Sequence, residues 1–328
     1  MRFTEGFYPP ESDGTFDYRW MQPAAQLDVE PSEDERFIEL QVLSEFRDLS
    51  QTLTVISGAD RATWRLRHGW APASVRVPPR ASAVEFAVNK VFPREYYAAG
   101  DRRALAVRVR ALDLHTDSRR HLNVTLQHLN LTANLQEMYA GATRLSTTPR
   151  FLGIDMHASC NVKPPCVYCD WDGAKAQEGD AIDTPFTVDT LREWGPFFEN
   201  SSTLVNCSIG EPFMMRDFDV LLDAFADGGK DLELTTNGQI LTDHIIRKLV
   251  GRRIKLHISL DAGTPETYAK LRNARFEAIL RNLERLIAAK GGPGSYPKIH
   301  LVFMPMRVNV HELPQAIAIA ARLQGVRT

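Results

Sequence analysis

The chain has 328 residues, of which 44% are hydrophobic and 24% charged, enough for about two domains with a sizeable core. Its formal net charge of −2 gives no electrostatic reason to expect a nucleic acid or an anionic membrane as partner. No run of about 18 apolar residues predicts a membrane span, and the amino terminus lacks the apolar core of a signal peptide.

Residues 1–130 predict an all-β, sandwich-like accessory domain. In residues 104–112, Val107 and Val109 lie on one face of a strand and Arg108 and Arg110 on the other. Short strand candidates separated by Gly, Pro, Asp or Ser favour a sandwich over βαβ units. They are residues 37–42, 53–56, 63–68, 83–88 and 104–112.

Residues 131–149 predict a helical connector, with a short helix over 131–141. From residue 150 onward, strands alternate regularly with helices, which indicates parallel βαβ units. The predicted strands are 152–156, 204–209, 232–235, 255–260 and 298–304, and the predicted helices are 188–198, 217–227, 243–250, 264–289 and 312–323. Five units are visible, and we expect the chain to stop where a sixth strand would begin.

Three of the four cysteines, Cys160, Cys166 and Cys169, lie within ten residues, directly after the first strand of these units. Three thiolates on one loop can hold three irons of an iron–sulfur cluster and leave the fourth open. A zinc site that includes His157 and a redox dithiol formed by Cys166 and Cys169 are the alternatives. Clustered cysteines in a chain of this length favour metal binding or catalysis over disulfides, so we expect a cytoplasmic protein.

Polar motifs follow the second and third strands. Gly210, Glu211 and Pro212 offer a carboxylate and backbone carbonyls, which suit an ammonium group; a plain strand-to-helix turn is the alternative. Asn237 ends the third strand, although Asn-Gly is also a common turn. Cys207 has no cysteine nearby in the sequence, and we expect a buried structural thiol.

The fourth and fifth strands also end in polar residues. Ser259 and Asp261 alternate, so both side chains lie on one face of a strand and can bind hydroxyl groups. Alternatively they cap the next helix, a role that Thr264 can also fill. Arg307 or Asn309, after the fifth strand, can reach a carboxylate or be solvated loop residues.

Together these segments resemble the radical S-adenosylmethionine (SAM) enzymes, whose three cysteines are most often spaced C-x3-C-x2-C, whereas the first gap here has five residues. The resemblance covers residues 151–326 and implies a partial (β/α)6 barrel over 150–328 that is incomplete at its carboxyl end. It implies a [4Fe-4S] cluster on the three cysteines and SAM bound beside it. The implied SAM contacts are Gly210, Glu211 and Pro212 to the amino group, Ser259 and Asp261 to the ribose, Tyr168 beside the adenine, and Asn237 and Arg307.

The resemblance implies that an electron from the reduced cluster cleaves SAM to a 5′-deoxyadenosyl radical, which abstracts a substrate hydrogen. A reductant such as flavodoxin or ferredoxin would be a partner. The fifth-strand segment is similar to enzymes with a SPASM extension, which implies a peptide substrate. The opening segment, residues 6–21, is similar to β-rich modules of surface-polysaccharide enzymes, which implies a sugar or glycan precursor. A zinc-stabilised α/β binding protein without catalysis is the alternative function.

Overall fold

The computed structural model describes residues 1–12, 17–93, 101–156, 159–169, 187–207, 210–292, 295–323 and 326–327. The chain forms two compact units, Met1–Arg150 and Phe151–Thr328. No helix in the described part of the chain has the length and apolarity needed to cross a membrane.

The first unit contains two five-stranded antiparallel sheets. Their orders are β1-β4-β9-β6-β7 and β2-β3-β10-β5-β8. The strands are β1 (Arg2–Phe3), β2 (Glu11–Ser12), β3 (Asp17–Met21), β4 (Ala24–Asp28), β5 (Arg36–Ser44), β6 (Thr52–Ser57), β7 (Asp60–Arg65), β8 (Gly69–Val77), β9 (Ala83–Val88) and β10 (Val107–His115).

Alternating residues of both sheets form one core, in which Leu40 and Val107 from the second sheet pack with Leu53 and Phe86 from the first. The predicted strand over residues 83–88 has the same bounds in the structure. Strand β8 was not predicted, because Pro72 lies in its middle and proline argues against a central strand. The structure places β8 at the edge of its sheet, where proline is tolerated.

Helix α1 spans Ser118–Tyr139, so the prediction of a connector helix that starts at residue 131 is wrong. Asp117 caps the helix by accepting hydrogen bonds from the backbone N–H groups of Arg119 and Arg120. The buried face of the helix contains Gln127 and His128, and these polar residues weakened the apolar period on which the prediction depended. The helix packs on β8, where His128 Nδ1 lies 2.9 Å from the Pro72 carbonyl oxygen, and therefore belongs to the first unit.

The second unit is a six-stranded parallel sheet whose strands are neighbours in chain order. The strands are β11 (Phe151–Ile154), β12 (Thr203–Asn206), β13 (Asp231–Thr236), β14 (Ile254–Ser259), β15 (Lys298–Val302) and β16 (Val326–Arg327). The helices are α2 (Val188–Glu193), α3 (Pro196–Asn200), α4 (Phe218–Asp227), α5 (Asp243–Leu249), α6 (Pro265–Arg272), α7 (Phe276–Lys290) and α8 (Leu313–Arg322). This sequential parallel order is that of the predicted partial (β/α)6 barrel.

The helix predicted over residues 264–289 is two helices, α6 and α7, because Asn273 adopts a left-handed conformation with φ of 49° and ends α6. Asn tolerates this conformation better than most residues. The break matters for the site, because it places the last carbonyl groups of α6 at the carboxyl edge of the sheet. In parallel sheets that edge is where ligand-binding residues gather.

Leu256 is at the centre of the second unit and 0% exposed, on a strand with partners on both sides. We expect Leu256→Ala to lower the free energy of unfolding by about 2–5 kcal/mol, through lost burial and the cavity left behind. Urea unfolding followed by circular dichroism measures this change. The control is Val220→Ala, because Val220 is 54% exposed on α4. Equal unfolding midpoints for the two variants would contradict the assigned core.

Candidate active site

The cysteine loop, residues 159–169, follows β11 at the carboxyl edge of the sheet. Cys160 and Cys166 are half-buried and Cys169 is exposed, all as free thiols, and the Cys169 N–H donates to the Cys166 carbonyl at 2.9 Å. Burial raises the pKa of the Cys160 and Cys166 thiols, and the charge of Cys169 adds to this in both. The thiols are therefore close enough to interact electrostatically.

This donor set fits an iron–sulfur cluster, in which each cysteine binds a different iron and the three sulfurs need not meet at one point. Within the described ranges, no group of three or more His, Cys, Asp or Glu side chains could hold a single metal ion. His157, the fourth ligand of the zinc alternative, lies outside the described residues.

Glu211 attaches the amino-terminal half of the loop to the ends of β12 and β13. Its buried carboxylate accepts hydrogen bonds from Thr236 Oγ1 at 2.7 Å and from the Asn237 N–H at 2.8 Å, and its own N–H donates to the Ser159 carbonyl at 2.7 Å. Burial raises the pKa of Glu211, although these hydrogen bonds oppose the rise. Of its predicted neighbours in this motif, Pro212 is buried and Gly210 is half-buried.

Asn237 continues this attachment with its side chain. Its Nδ2 donates to Asn161 Oδ1 at 2.7 Å and lies 3.8 Å from Cys160 Sγ. Its Oδ1 accepts from the Gln239 N–H at 2.9 Å. The Asn-Gly turn interpretation also applies, since Gly238 has a φ of 72°. Asn237 therefore both forms the turn and contacts the cysteine loop.

The carboxyl-terminal half of the loop rests on the end of α6. The Val167 N–H donates to the Leu271 carbonyl at 2.9 Å, and Cys166 Sγ lies 3.9 Å from the Arg272 carbonyl. Asn273 Nδ2 donates to the Pro165 carbonyl at 2.7 Å. The last carbonyl groups of a helix lack partners within it, and here the cysteine loop supplies them.

Asp261 connects this arrangement to β14. It is 1% exposed, and its Oδ2 accepts from Arg272 Nε and Nη2, both at 2.6 Å, and from the Tyr168 hydroxyl. Its Oδ1 accepts from the Met304 N–H at 2.7 Å. The Arg272 guanidinium also lies 5.4 Å from the centre of the Tyr168 ring.

The predicted SAM-binding residues Ser259, Asp261 and Tyr168 lie in or next to this hydrogen-bond network. Ser259 is buried at the end of β14. The Asp261 carboxylate already has protein partners. Burial of Tyr168 raises the pKa of its hydroxyl, and the hydrogen bond to Asp261 raises it further. The capping alternative for Ser259 and Asp261 is wrong, because Thr264 caps α6, with its Oγ1 3.4 Å from the Thr267 N–H.

In the loop after β15, Arg307 and Asn309 differ in their exposure to solvent. Arg307 is exposed. Asn309 is buried, and its Nδ2 donates to the Asp261 carbonyl at 2.8 Å and the Met304 carbonyl at 3.0 Å. Asn309 therefore holds the loop in shape rather than facing solvent.

Sequence reasoning missed two charged residues, Arg272 and Glu312. Glu312 is buried and accepts from the N–H groups of Gly263 and Thr264 at 2.8 and 3.1 Å, at the start of α6. Burial opposes its ionisation, but hydrogen bonds from Thr267 and Thr264 outweigh that effect and lower the pKa of Glu312. A charged side chain within an amphipathic or loop segment carries no local signal of burial, so neither residue stood out.

The face of the sheet away from the apolar core is polar. Glu233 contacts Lys255 Nζ at 2.5 Å and His257 Nε2 at 3.4 Å, and the rings of His257 and His300 meet edge to face with centres 5.0 Å apart.

Cys207 is exposed, so the prediction of a buried thiol is wrong. Strand alternation explains this, because Leu204 and Asn206 are the buried residues of β12.

Several known proteins are similar to this chain. Residues 155–315 match the family model described as the Radical SAM superfamily. The chain is 28% identical over 172 residues to GTP 3′,8-cyclase of Vibrio cholerae (51% of this chain, 49% of the relative). It is 27% identical over 168 residues to "Probable GTP 3′,8-cyclase" of Methanocaldococcus jannaschii (50% and 53%). The chain spans about half the length of these curated relatives.

Among solved structures, SuiB of Streptococcus suis bound to S-adenosylmethionine aligns with a TM-score of 0.43 and 17% identity. The alignment covers 60% of this chain and 41% of SuiB.

Removing the Arg272 charge leaves the buried Asp261 carboxylate without its ion pair. We expect Arg272→Gln to cost about 3–5 kcal/mol of unfolding free energy. The double variant with Asp261→Asn should cost less than the sum of the two single variants, because the sites are coupled. Urea unfolding measures all three. Arg192→Gln is the control, since the exposed Arg192–Asp189 pair should be worth about 0–1 kcal/mol, and an equal effect at both arginines would contradict the buried pair.

Hydrogen bonding from His257, assisted by Lys255 and opposed by burial, lowers the pKa of Glu233 from 4.5 to about 2. Because the folded-state value is the lower one, the stabilisation is present above about pH 4.5 and is lost as the pH falls through about 2. We expect NMR titration of the Glu233 carboxyl carbon to show this low midpoint. Glu233→Gln should lose stability near neutral pH, whereas Glu266→Gln, at an exposed position of α6, should not. A Glu233 midpoint at its ordinary value would contradict the geometry.

Proposed function

Because residues 155–315 constitute a radical SAM domain, we propose that this enzyme binds a [4Fe-4S] cluster through Cys160, Cys166 and Cys169. Proteins of this superfamily use such a cluster together with SAM. When bound, the cluster supplies the electron that cleaves SAM to a 5′-deoxyadenosyl radical. The observation that carries the proposal is that all three thiols lie on one loop fastened to the carboxyl ends of β13 and β14.

The protein's own residues would bind and orient SAM beside the loop. We assign its amino group to the segment Gly210–Pro212, its ribose to Ser259, and its adenine to the side of Tyr168. Asp261 and Asn237 would act mainly by holding Tyr168 and the cysteine loop, because their side chains already have protein partners. Arg307 is exposed and free of such a role, so it is assigned to the SAM carboxylate.

The proposed substrate is a polar one, either a peptide, as the SPASM-like segment suggests, or a sugar or glycan precursor. The polar face that contains Glu233, Lys255 and His257 supports a substrate rich in hydrogen-bonding groups. A reductant such as flavodoxin or ferredoxin would deliver the electron, and the reduced thiols would suit the cytoplasm.

Anaerobic reconstitution with iron and sulfide, followed by SAM and dithionite, tests this function. We expect a cluster to assemble and 5′-deoxyadenosine to form. Alanine replacement of Cys160, Cys166 or Cys169 should abolish cluster assembly, because each would remove the ligand of one iron. Iron and sulfide analysis and chromatography of the nucleoside products measure both results.

Cys207→Ala is the matched control, because Cys207 is also a free thiol but lies outside the cysteine loop, directly after β12. It should retain the cluster. Loss of the cluster in this variant would refute the ligand assignment. Zinc without iron or sulfide in the parent protein would favour the non-catalytic alternative.

A further inference from the structure

The hydroxyl of Tyr268 is buried and has no hydrogen-bond partner among the residues that the structure describes. Tyr268 on α6 is 0% exposed, with its ring packed against Phe276 at a centre-to-centre distance of 5.4 Å. Its Oη makes no hydrogen bond with any residue that the structure describes. A buried hydroxyl without a partner destabilises the folded state, so its presence calls for an explanation.

Tyr268 lies on the side of α6 that supports the cysteine loop. It precedes Arg272 by four residues, so the two side chains share one helix face. Arg272 and the adjacent Leu271 provide the carbonyl groups against which Cys166 and Val167 pack. The Arg272 guanidinium lies 5.4 Å from the centre of the Tyr168 ring, so the helix face that Tyr268 shares with Arg272 is the one that contacts the cysteine loop.

The charges around Tyr268 identify its acceptor. The side chains of Arg272, Asp261 and Cys166 all interact electrostatically with Tyr268, and the tyrosine hydroxyl can donate a hydrogen bond to an acceptor among them. Arg272 has no acceptor atom. Asp261 accepts from Arg272, Tyr168 and Met304 but not from Tyr268. Of these three neighbours, the Cys166 sulfur is the acceptor that remains.

We propose that the Tyr268 hydroxyl donates a hydrogen bond to the Cys166 sulfur when that sulfur ligates the iron–sulfur cluster. This inference rests on the proposed function. A ligating thiolate carries negative charge and accepts a hydrogen bond, and hydrogen bonds to sulfur are among the factors that set the reduction potential of a cluster. Because reduction adds negative charge, the bond stabilises the reduced cluster and raises its potential. Tyr268 is thus a positioning and tuning residue that does not touch substrate.

The test is Tyr268→Phe, which removes the hydroxyl and keeps the ring. The parent and the variant are reconstituted anaerobically and titrated with dithionite while the reduced cluster is followed by electron paramagnetic resonance. We expect equal iron and sulfide content but a more negative midpoint potential in the variant. Tyr139→Phe is the control, because Tyr139 is 56% exposed and belongs to the first unit. Its potential should equal that of the parent.

An unchanged potential in Tyr268→Phe, with the cluster intact, would overturn this inference and leave the proposed function standing. A parent chain that takes up no iron or sulfide would overturn both. If Tyr268→Phe does not fold, as judged by thermal unfolding without the cluster, 3-fluorotyrosine at position 268 replaces it. The fluorine strengthens the hydroxyl as a donor, so the potential should become more positive, and no change relative to 3-fluorotyrosine at position 139 would reject the hydrogen bond.

Discussion

The buried ion pair between Asp261 and Arg272 joins three parts of the second unit that are distant in sequence. Asp261 follows β14 by two residues, Arg272 ends α6, and Tyr168 brings the cysteine loop to the same carboxylate. Burying two charges is costly, and a well-packed apolar pair is often at least as stable. The pair is therefore better explained by the position it fixes than by stability. Its geometry holds the carboxyl-terminal half of the cysteine loop at the end of a strand.

The amino-terminal half of the loop is held by different chemistry. Glu211 accepts from groups at the end of β13 and Asn237 donates to Asn161. The two halves are thus attached to neighbouring strands through separate hydrogen-bond networks, with the thiols between them. In this account the protein positions the cysteines before any cofactor binds, which is the preorganisation that a precise metal site requires.

The strands of the second unit and the positions of the site residues could be predicted from the sequence. Hydrophobic periodicity located the strands after residue 150, and the three cysteines, Glu211 and Asp261 all follow strand ends. What these side chains contact could not be predicted. The partner of Asp261 lies on the next helix, and Glu312 reaches back 48 residues to Thr264, so no local pattern marks either contact. The break at Asn273 was missed because helical periodicity continues on both sides of it. Cys207 is exposed because of the face of the sheet on which it lies, and the residues around Cys207 in the sequence do not indicate which face the helices cover.

Amide hydrogen exchange of the cluster-free chain shows whether protein contacts, rather than a cluster, fix the cysteine loop. The Val167 and Cys169 N–H groups donate to the Leu271 and Cys166 carbonyls, so we expect slow exchange at both amides without iron. We also expect faster exchange at Val167 in Arg272→Gln. Exchange at the rate of an unstructured loop, with protection only after iron and sulfide are added, would mean that the cluster and not the protein contacts fixes the loop.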